Sequence, residues 1–110
     1  MAKNKVIEAI KFLEKCLKEN NLRISRVVLF GSQTKRTATK ESDIDVAIVS
    51  EDFEGKNIFE RASLTKDAEV RTIKKFMLPL DIITLSLKEW KNEESLVVHY
   101  VKEGKATYGK

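Results

Sequence analysis

Residues 28–49 read VLFGSQTKRTATKESDIDVAIV, two apolar runs that enclose a polar, basic segment. The first run ends in Gly31-Ser32, and Asp43 and Asp45 open the second. Successive side chains of a strand point to opposite faces, so the two aspartates are predicted to share one face while the apolar residues enter a core. Two carboxylates held together need a cation or a proton, and backbone N–H groups where a helix starts can bind phosphate. The stretch therefore points to nucleotide chemistry.

Length and composition predict a single domain over residues 1–110. No apolar run approaches the roughly 20 residues that cross a bilayer, and charged residues interrupt the N-terminal apolar pattern, unlike a secretory signal. We therefore expect a cytoplasmic protein that does not contact membrane. The net charge of +4 suits an anionic ligand, although interleaved lysine and glutamate also fit an ordinary solvated surface. Cys16, the single cysteine, is expected to be a small buried residue.

The hydrophobic pattern predicts the order helix, strand, strand, helix, strand, helix. This order corresponds to an α+β or α/β domain, a small mixed β-sheet backed by helices on one side. The predicted helices lie at 3–20, 58–77 and 94–103, and the strands at 27–30, 43–50 and 80–85. Two shorter helices within 58–77 are the alternative for that segment. A capping-box sequence from Ser86 to Glu89 predicts a further helical turn, and residues 105–108 can add an edge strand.

The apolar residues of two helices define faces that we expect to be buried. In the helix of 58–77 they are Ile58, Phe59, Ala62, Val70, Ile73, Phe76 and Met77. In the final helix they are Leu96, Val97, Tyr100 and Val101. His99 has no second histidine near it and is expected at the surface, whereas Trp90 is expected to pack.

Asp81 lies inside the apolar segment PLDIITL, where β propensity disfavours aspartate and an unpaired buried carboxylate is costly. If its strand lies beside the one that starts at Asp43, then Asp43, Asp45 and Asp81 form a cluster of three carboxylates. Such a cluster suits hard cations with oxygen ligands, above all Mg²⁺. The alternative is an ion pair of Asp81 with a nearby lysine or arginine, for example Arg71 or Lys75. An EF-hand and a Walker P-loop are excluded because the sequence lacks their motifs.

Gly31-Ser32, the segment SDIDV at 42–46 and Asp81 follow one another in a characteristic order. In order and spacing they resemble the minimal nucleotidyltransferases (MNT-type antitoxins) of the DNA polymerase beta superfamily. The resemblance covers nearly the whole chain and implies a nucleotidyltransferase (DNA polymerase beta-like) fold.

The resemblance implies a role for each matched residue. Gly31 and Ser32 would contact the phosphates of ATP or another NTP. Asp43, Asp45 and Asp81 would be catalytic and would hold two Mg²⁺ ions. Asp81 would also take the proton of the acceptor hydroxyl.

The chain departs from the family pattern at Arg36, where the family usually has a second glycine. Arg36 and Lys35 are candidates for contacts to the triphosphate. The missing glycine favours a catalytically inactive module, whereas the three carboxylates favour an enzyme.

By resemblance, the chain is a Mg²⁺-dependent nucleotidyltransferase that moves an NMP, AMP from ATP, to a hydroxyl on a partner protein. It would be the antitoxin of a HEPN/MNT toxin–antitoxin pair with a HEPN-type helical partner. The alternative is a catalytically inactive nucleotidyltransferase-fold binding module that neutralises its partner by occlusion. A third option is transfer to RNA ends or to a small molecule such as an aminoglycoside. Nucleic-acid binding and homo-oligomerisation stay open.

Overall fold

The structure is a computed structural model that describes residues 2–31 and 43–109. Within these ranges the elements are α1 Ala2–Glu19, β1 Ile24–Phe30, β2 Ile44–Ser50, α2 Ile58–Phe76, β3 Leu80–Leu85, α3 Leu87–Trp90, α4 Leu96–Lys102 and β4 Lys105–Tyr108. A short 3₁₀ turn, Glu51–Phe53, follows β2. None of the described helices is long and apolar enough to cross a membrane.

The four strands form one mixed sheet in the order β3-β2-β1-β4. β1 is antiparallel to both β2 and β4, whereas β2 and β3 are parallel. Parallel neighbours require a crossover connection, which α2 provides. This arrangement confirms the predicted α+β class with a small mixed sheet, and β4 is the edge strand that residues 105–108 were expected to add.

Alternation along β2 divides its side chains between two separate apolar clusters. Ile44, Val46 and Ile48 are fully buried in the cluster formed with the long helices α1 and α2. Ala47 and Val49 are fully buried in the cluster formed with α3 and α4. The two long helices therefore lie on one face. The prediction of helices on one side only is wrong, because the two short helices cover part of the other face.

A single helix spans the segment in which two shorter helices were the alternative. Asn57 and Glu60 form a capping box at its N-terminus, and Met77 ends it in the left-handed conformation with φ 54°. The reciprocal hydrogen bonds of the box satisfy backbone donors that a helix start leaves unpaired. These signals at both ends explain the continuity of α2 across Lys66 and Asp67.

The predicted buried face of α2 is wrong in part. Ile58 and Phe59 are 72% and 82% exposed, and Met77 is exposed too. The buried positions are Thr65, Ala68 and Thr72. The threonine hydroxyls donate to carbonyl oxygens of the preceding turn, 3.2 Å from Thr65 to Ala62 and 2.7 Å from Thr72 to Ala68. Because these bonds satisfy the hydroxyls, threonine can occupy the helix–sheet interface that an apolar count assigns elsewhere.

The predicted buried face of α4 is also wrong in part. Val98 and Val101 are buried, whereas Leu96 is largely exposed and Val97 and Tyr100 are about half exposed. The ring of Tyr100 packs edge-on against Phe30, as expected for a packing residue. The Ser95 side chain accepts from the Val98 backbone N–H and thereby begins the helix at Leu96. With the helix beginning at Leu96, residues 98 and 101, which are three positions apart and share one side of the helix, face the sheet.

The corrected face of α4 yields a direct test. Val98 is 2% exposed and Leu96 is 84% exposed. We expect Val98→Ala to lower the free energy of unfolding by about 2 kcal/mol through lost burial and the cavity left behind. We expect the matched variant Leu96→Ala to stay within about 0.5 kcal/mol of the parent. Urea unfolding measures both, and a larger loss for Leu96→Ala would contradict the packing described.

Candidate active site

The parallel pairing of β2 with β3 brings two of the predicted site residues together. Asp45 and Asp81 are direct register partners on these neighbouring strands. Register partners direct their side chains to the same face of a sheet, here the face that carries Ala47 and Ile83. The expectation that the strand of Asp81 lies beside that of Asp45 is confirmed. Their roles in catalysis and metal binding stay a prediction.

Asp43 is less closely associated with this pair. It lies immediately before β2 and is exposed. Across residues 2–31 and 43–109, no three acidic, histidine or cysteine side chains converge as a metal-binding group. The paired carboxylates of Asp45 and Asp81 supply the oxygen donors that Mg²⁺ prefers, whereas the third predicted ligand does not converge with them.

Gly31 lies at the end of β1 against the carboxylate of Asp45. The preceding residue, Phe30, is the register partner of Asp45. Gly31 has φ +76°, and a Cβ atom at this position would lie 2.1 Å from Asp45 Oδ2. Only glycine therefore permits this approach of backbone and carboxylate without displacement. The glycine predicted for phosphate contact thus adjoins the predicted metal-binding strand.

Three of the predicted phosphate contacts, Ser32, Lys35 and Arg36, fall in the segment between the two described ranges. Their roles stay predictions.

The basic partners considered for Asp81 are engaged elsewhere. Arg71 Nη1 lies 3.1 Å from Glu19 and 3.6 Å from Asp67. Lys75 Nζ lies 5.1 Å from the ring centroid of Phe12. Within the described part of the chain, Asp81 forms no ion pair. The structure therefore contradicts the alternative in which Asp81 forms an ion pair with Arg71 or Lys75.

A groove of about 570 Å³ runs between α2, β3 and the start of α3, with Asp81 in its wall. Glu69 of α2 also lines it, and sequence reasoning missed this residue. Burial, and secondarily the charge of Asp81, raises the pKa of Glu69. Glu69 follows the buried Thr65 by four positions and so shares its side of α2, but no pattern in the sequence indicated it, because the burial of Thr65 was not predicted either.

Arg61 closes one end of the groove and fixes its shape. Its guanidinium is 2.7 Å from Glu89 and 3.3 Å from the carbonyl oxygen of Thr84, and its Nε donates to the carbonyl of Lys56 at 2.9 Å. The Arg61 side chain is only 12% exposed. The hydrogen bond from Arg61 lowers the pKa of Glu89 and so favours its carboxylate form. Arg61 therefore ties α2 to β3 and α3, and its charge is already neutralised.

Three further residues behave as predicted. His99 is exposed on α4 and contacts the carbonyl oxygen of Glu93. Cys16 is fully buried, and burial raises the pKa of its thiol. Trp90 packs on the second apolar cluster with two cations over its ring, Arg26 and Lys102.

The family model for the nucleotidyltransferase domain matches residues 10–103. The chain belongs to the nucleotidyltransferase domain family. This match confirms the family that the Gly31-Ser32 and SDIDV motifs indicated. No curated protein matches the chain.

Two solved structures share the fold of this nucleotidyltransferase domain. One is a toxin–antitoxin solved with AMP-PNP, which matches with a TM-score of 0.63 and 20% identity over 100% of this chain and 75% of the other. The second is the toxin–antitoxin MntA-HpeT, with a TM-score of 0.57 and 20% identity over 87% of this chain and 69% of the other. The latter is a mutant in which two aspartates, two positions apart, are replaced by glutamate. At this identity the likeness establishes the fold.

The contact between Gly31 and Asp45 can be tested with a matched pair of glycines. Gly55 has φ +74°, close to the φ of Gly31, but open space surrounds the position of its missing Cβ. We expect Gly55→Ala to lower the free energy of unfolding by about 1 kcal/mol, the cost of the left-handed conformation alone. We expect Gly31→Ala to lower it by at least about 1 kcal/mol more, because the new methyl group displaces the Asp45 carboxylate. Urea unfolding measures both variants, and equal losses would contradict the close approach.

Proposed function

We propose that this chain is a Mg²⁺-dependent nucleotidyltransferase that transfers AMP from ATP to a hydroxyl group on a partner protein. The observation that carries the proposal is the register pair of Asp45 and Asp81, with Gly31 against the first of them. Membership of the nucleotidyltransferase domain family supports the same reaction class.

The reaction is an in-line displacement at the α-phosphorus of the nucleotide. The acceptor hydroxyl oxygen forms a bond to this phosphorus, the bond to the pyrophosphate oxygen breaks, and the hydroxyl proton passes to Asp81. Asp45 and Asp81 would hold Mg²⁺, with Asp43 as the further predicted ligand, and the ion would supply Lewis-acid stabilisation of charge on the phosphate oxygens. Because Gly31 has no side chain, its backbone lies close to the Asp45 carboxylate. A phosphate held beside that carboxylate would therefore also lie close to the backbone of Gly31. These residues orient the nucleotide and receive the proton.

The two similar toxin–antitoxin structures support three details of this proposal, namely the nucleotide, the partner and the role as an antitoxin. One structural neighbour was solved with AMP-PNP, which favours an adenine nucleotide. The substituted aspartates of the other neighbour have the spacing of Asp43 and Asp45 in this chain. We therefore propose that the chain is the antitoxin of such a pair, that its acceptor is a helical HEPN-type partner and that the transfer takes place in the cytoplasm.

A second candidate is a nucleotidyltransferase-fold module that neutralises its partner by occlusion without catalysis. The observation in its favour is that Asp43 does not join Asp45 and Asp81 in a metal-binding group within the described residues. Transfer of label separates this candidate from the enzyme.

The decisive variant is Asp45→Asn, which keeps the size of the side chain and removes its charge. With α-labelled ATP, Mg²⁺ and the product of the adjacent gene, we expect transfer to fall at least about 100-fold, as is typical when a group that stabilises developing charge is lost. We also expect Mg²⁺-dependent thermal stabilisation by AMP-PNP to disappear, a readout that needs no acceptor.

Asp67→Asn is the matched control, because Asp67 is an exposed aspartate of α2 that interacts with Asn20 and Arg71, on the α1 side of the helix. It should retain both transfer and stabilisation. Transfer at the parental rate by Asp45→Asn would contradict the enzyme. Stable association with the partner, without label on it, would favour the occlusion module.

A further inference from the structure

We propose that the groove along the outer edge of β3 binds the acceptor as an extended polypeptide segment that carries a basic side chain close to its hydroxyl residue. The inference rests on the proposed function and names its acceptor class. We define the acceptor groove by Ile58, Arg61, Glu69, Asp81 and Ile82, which lie along its length.

The order of the strands places this groove on the side of the carboxylates opposite to Gly31. Across the sheet, Gly31 follows β1, Asp45 lies on β2 and Asp81 lies on β3, the edge strand. The acceptor groove begins at Asp81 and continues outward to α2. A nucleotide phosphate at Gly31 and an acceptor in the groove would thus approach the carboxylate pair from opposite sides, as an in-line displacement requires.

The outer edge of β3 presents backbone groups that can pair with an extended chain. The carbonyl of Pro79 accepts from the Ile44 N–H of β2, whereas the carbonyl of Thr84 accepts from Arg61 in the groove. Backbone groups of alternate residues face the same edge of a strand, so Ile82 directs its N–H and carbonyl into the groove. Among the described residues no strand pairs with this edge. Such an edge favours a polypeptide, which can add to it as a further strand.

The first turn of α2, which lines the groove through Ile58, exposes apolar side chains that can anchor such a segment. Ile58 lines the groove, and its neighbour Phe59 is among the most exposed large apolar residues of the described chain. Exposed apolar residues beside a groove mark interaction sites, and aromatic residues contribute strongly to binding energy.

The charges of the groove favour a basic segment over a nucleic acid. Arg61 is neutralised by Glu89, whereas Glu69 forms no hydrogen bond or ion pair with any described residue. The other charges that line the groove are Lys56 and Asp81, so two carboxylates face one lysine. A lysine or arginine beside the acceptor hydroxyl would pair with Glu69 and relieve its repulsion with Asp81. The phosphates of an RNA end would instead meet two carboxylates in this position.

The test is an array of short degenerate peptides centred on tyrosine, serine or threonine, probed with the labelled full chain in the absence of nucleotide and metal. We expect the bound peptides to be enriched in arginine or lysine near the hydroxyl residue. A capture pattern without that enrichment, capture of acidic peptides or no capture at all would overturn the inference. Competition for the groove by single-stranded oligoadenylate would overturn it as well.

Two variants connect the array signal to the groove. For the best basic peptide, we expect Glu69→Gln to weaken binding about fivefold and Phe59→Ser about tenfold. The matched controls Glu8→Gln and Leu96→Ser, exposed acidic and apolar residues on α1 and α4, should change it by less than about twofold. Equal effects of variants and controls would overturn the assignment. Because the array needs neither ATP nor Mg²⁺, the two proposals fail separately. Transfer at the parental rate by Asp45→Asn would refute the enzyme alone, and loss of the preference for basic peptides would refute the groove alone.

Discussion

The structure depends on the parallel register of β2 and β3, which places Asp45 and Asp81 opposite each other with their side chains on one face of the sheet. Like charges in such proximity oppose folding unless a cation or proton relieves them, so the core must hold this register. The alternation along β2 does so, because Ile44, Val46 and Ile48 are fully buried on the opposite face. A slip by one residue would expose these three side chains and bury Asp45 against α1 and α2. The hydrophobic core thereby fixes the relative position of the two acids.

The remaining features of the site follow from the position of each strand in the sheet. β1 ends in Gly31, whose missing side chain leaves room for the Asp45 carboxylate. β3 is an edge strand, so Asp81 borders both its neighbour on β2 and the open groove beside α2. Arg61 holds that groove in shape through Glu89 and the carbonyl of Thr84. One short stretch of sheet therefore combines a glycine turn, two neighbouring aspartates and a sheet edge that borders a groove.

The sequence predicted the strands well because their patterns are simple. β3 has the predicted bounds, and an aspartate within its apolar run indicated a partner across the sheet. The buried faces of α2 and α4 were predicted less well. An apolar count cannot anticipate that Thr65 and Thr72 become buried by bonding to their own helix, or that Ser95 sets the first turn of α4. Glu69 was missed because its importance lies in its proximity to Asp81, which a linear pattern does not contain.

The most direct measurement is a crystal structure of the chain with Mn²⁺ and AMP-PNP, in which anomalous scattering locates the metal. We expect metal bound to carboxylate oxygens of both Asp45 and Asp81, with the nucleotide phosphates beside Gly31. Nucleotide bound elsewhere, or metal that contacts neither carboxylate, would contradict this expectation.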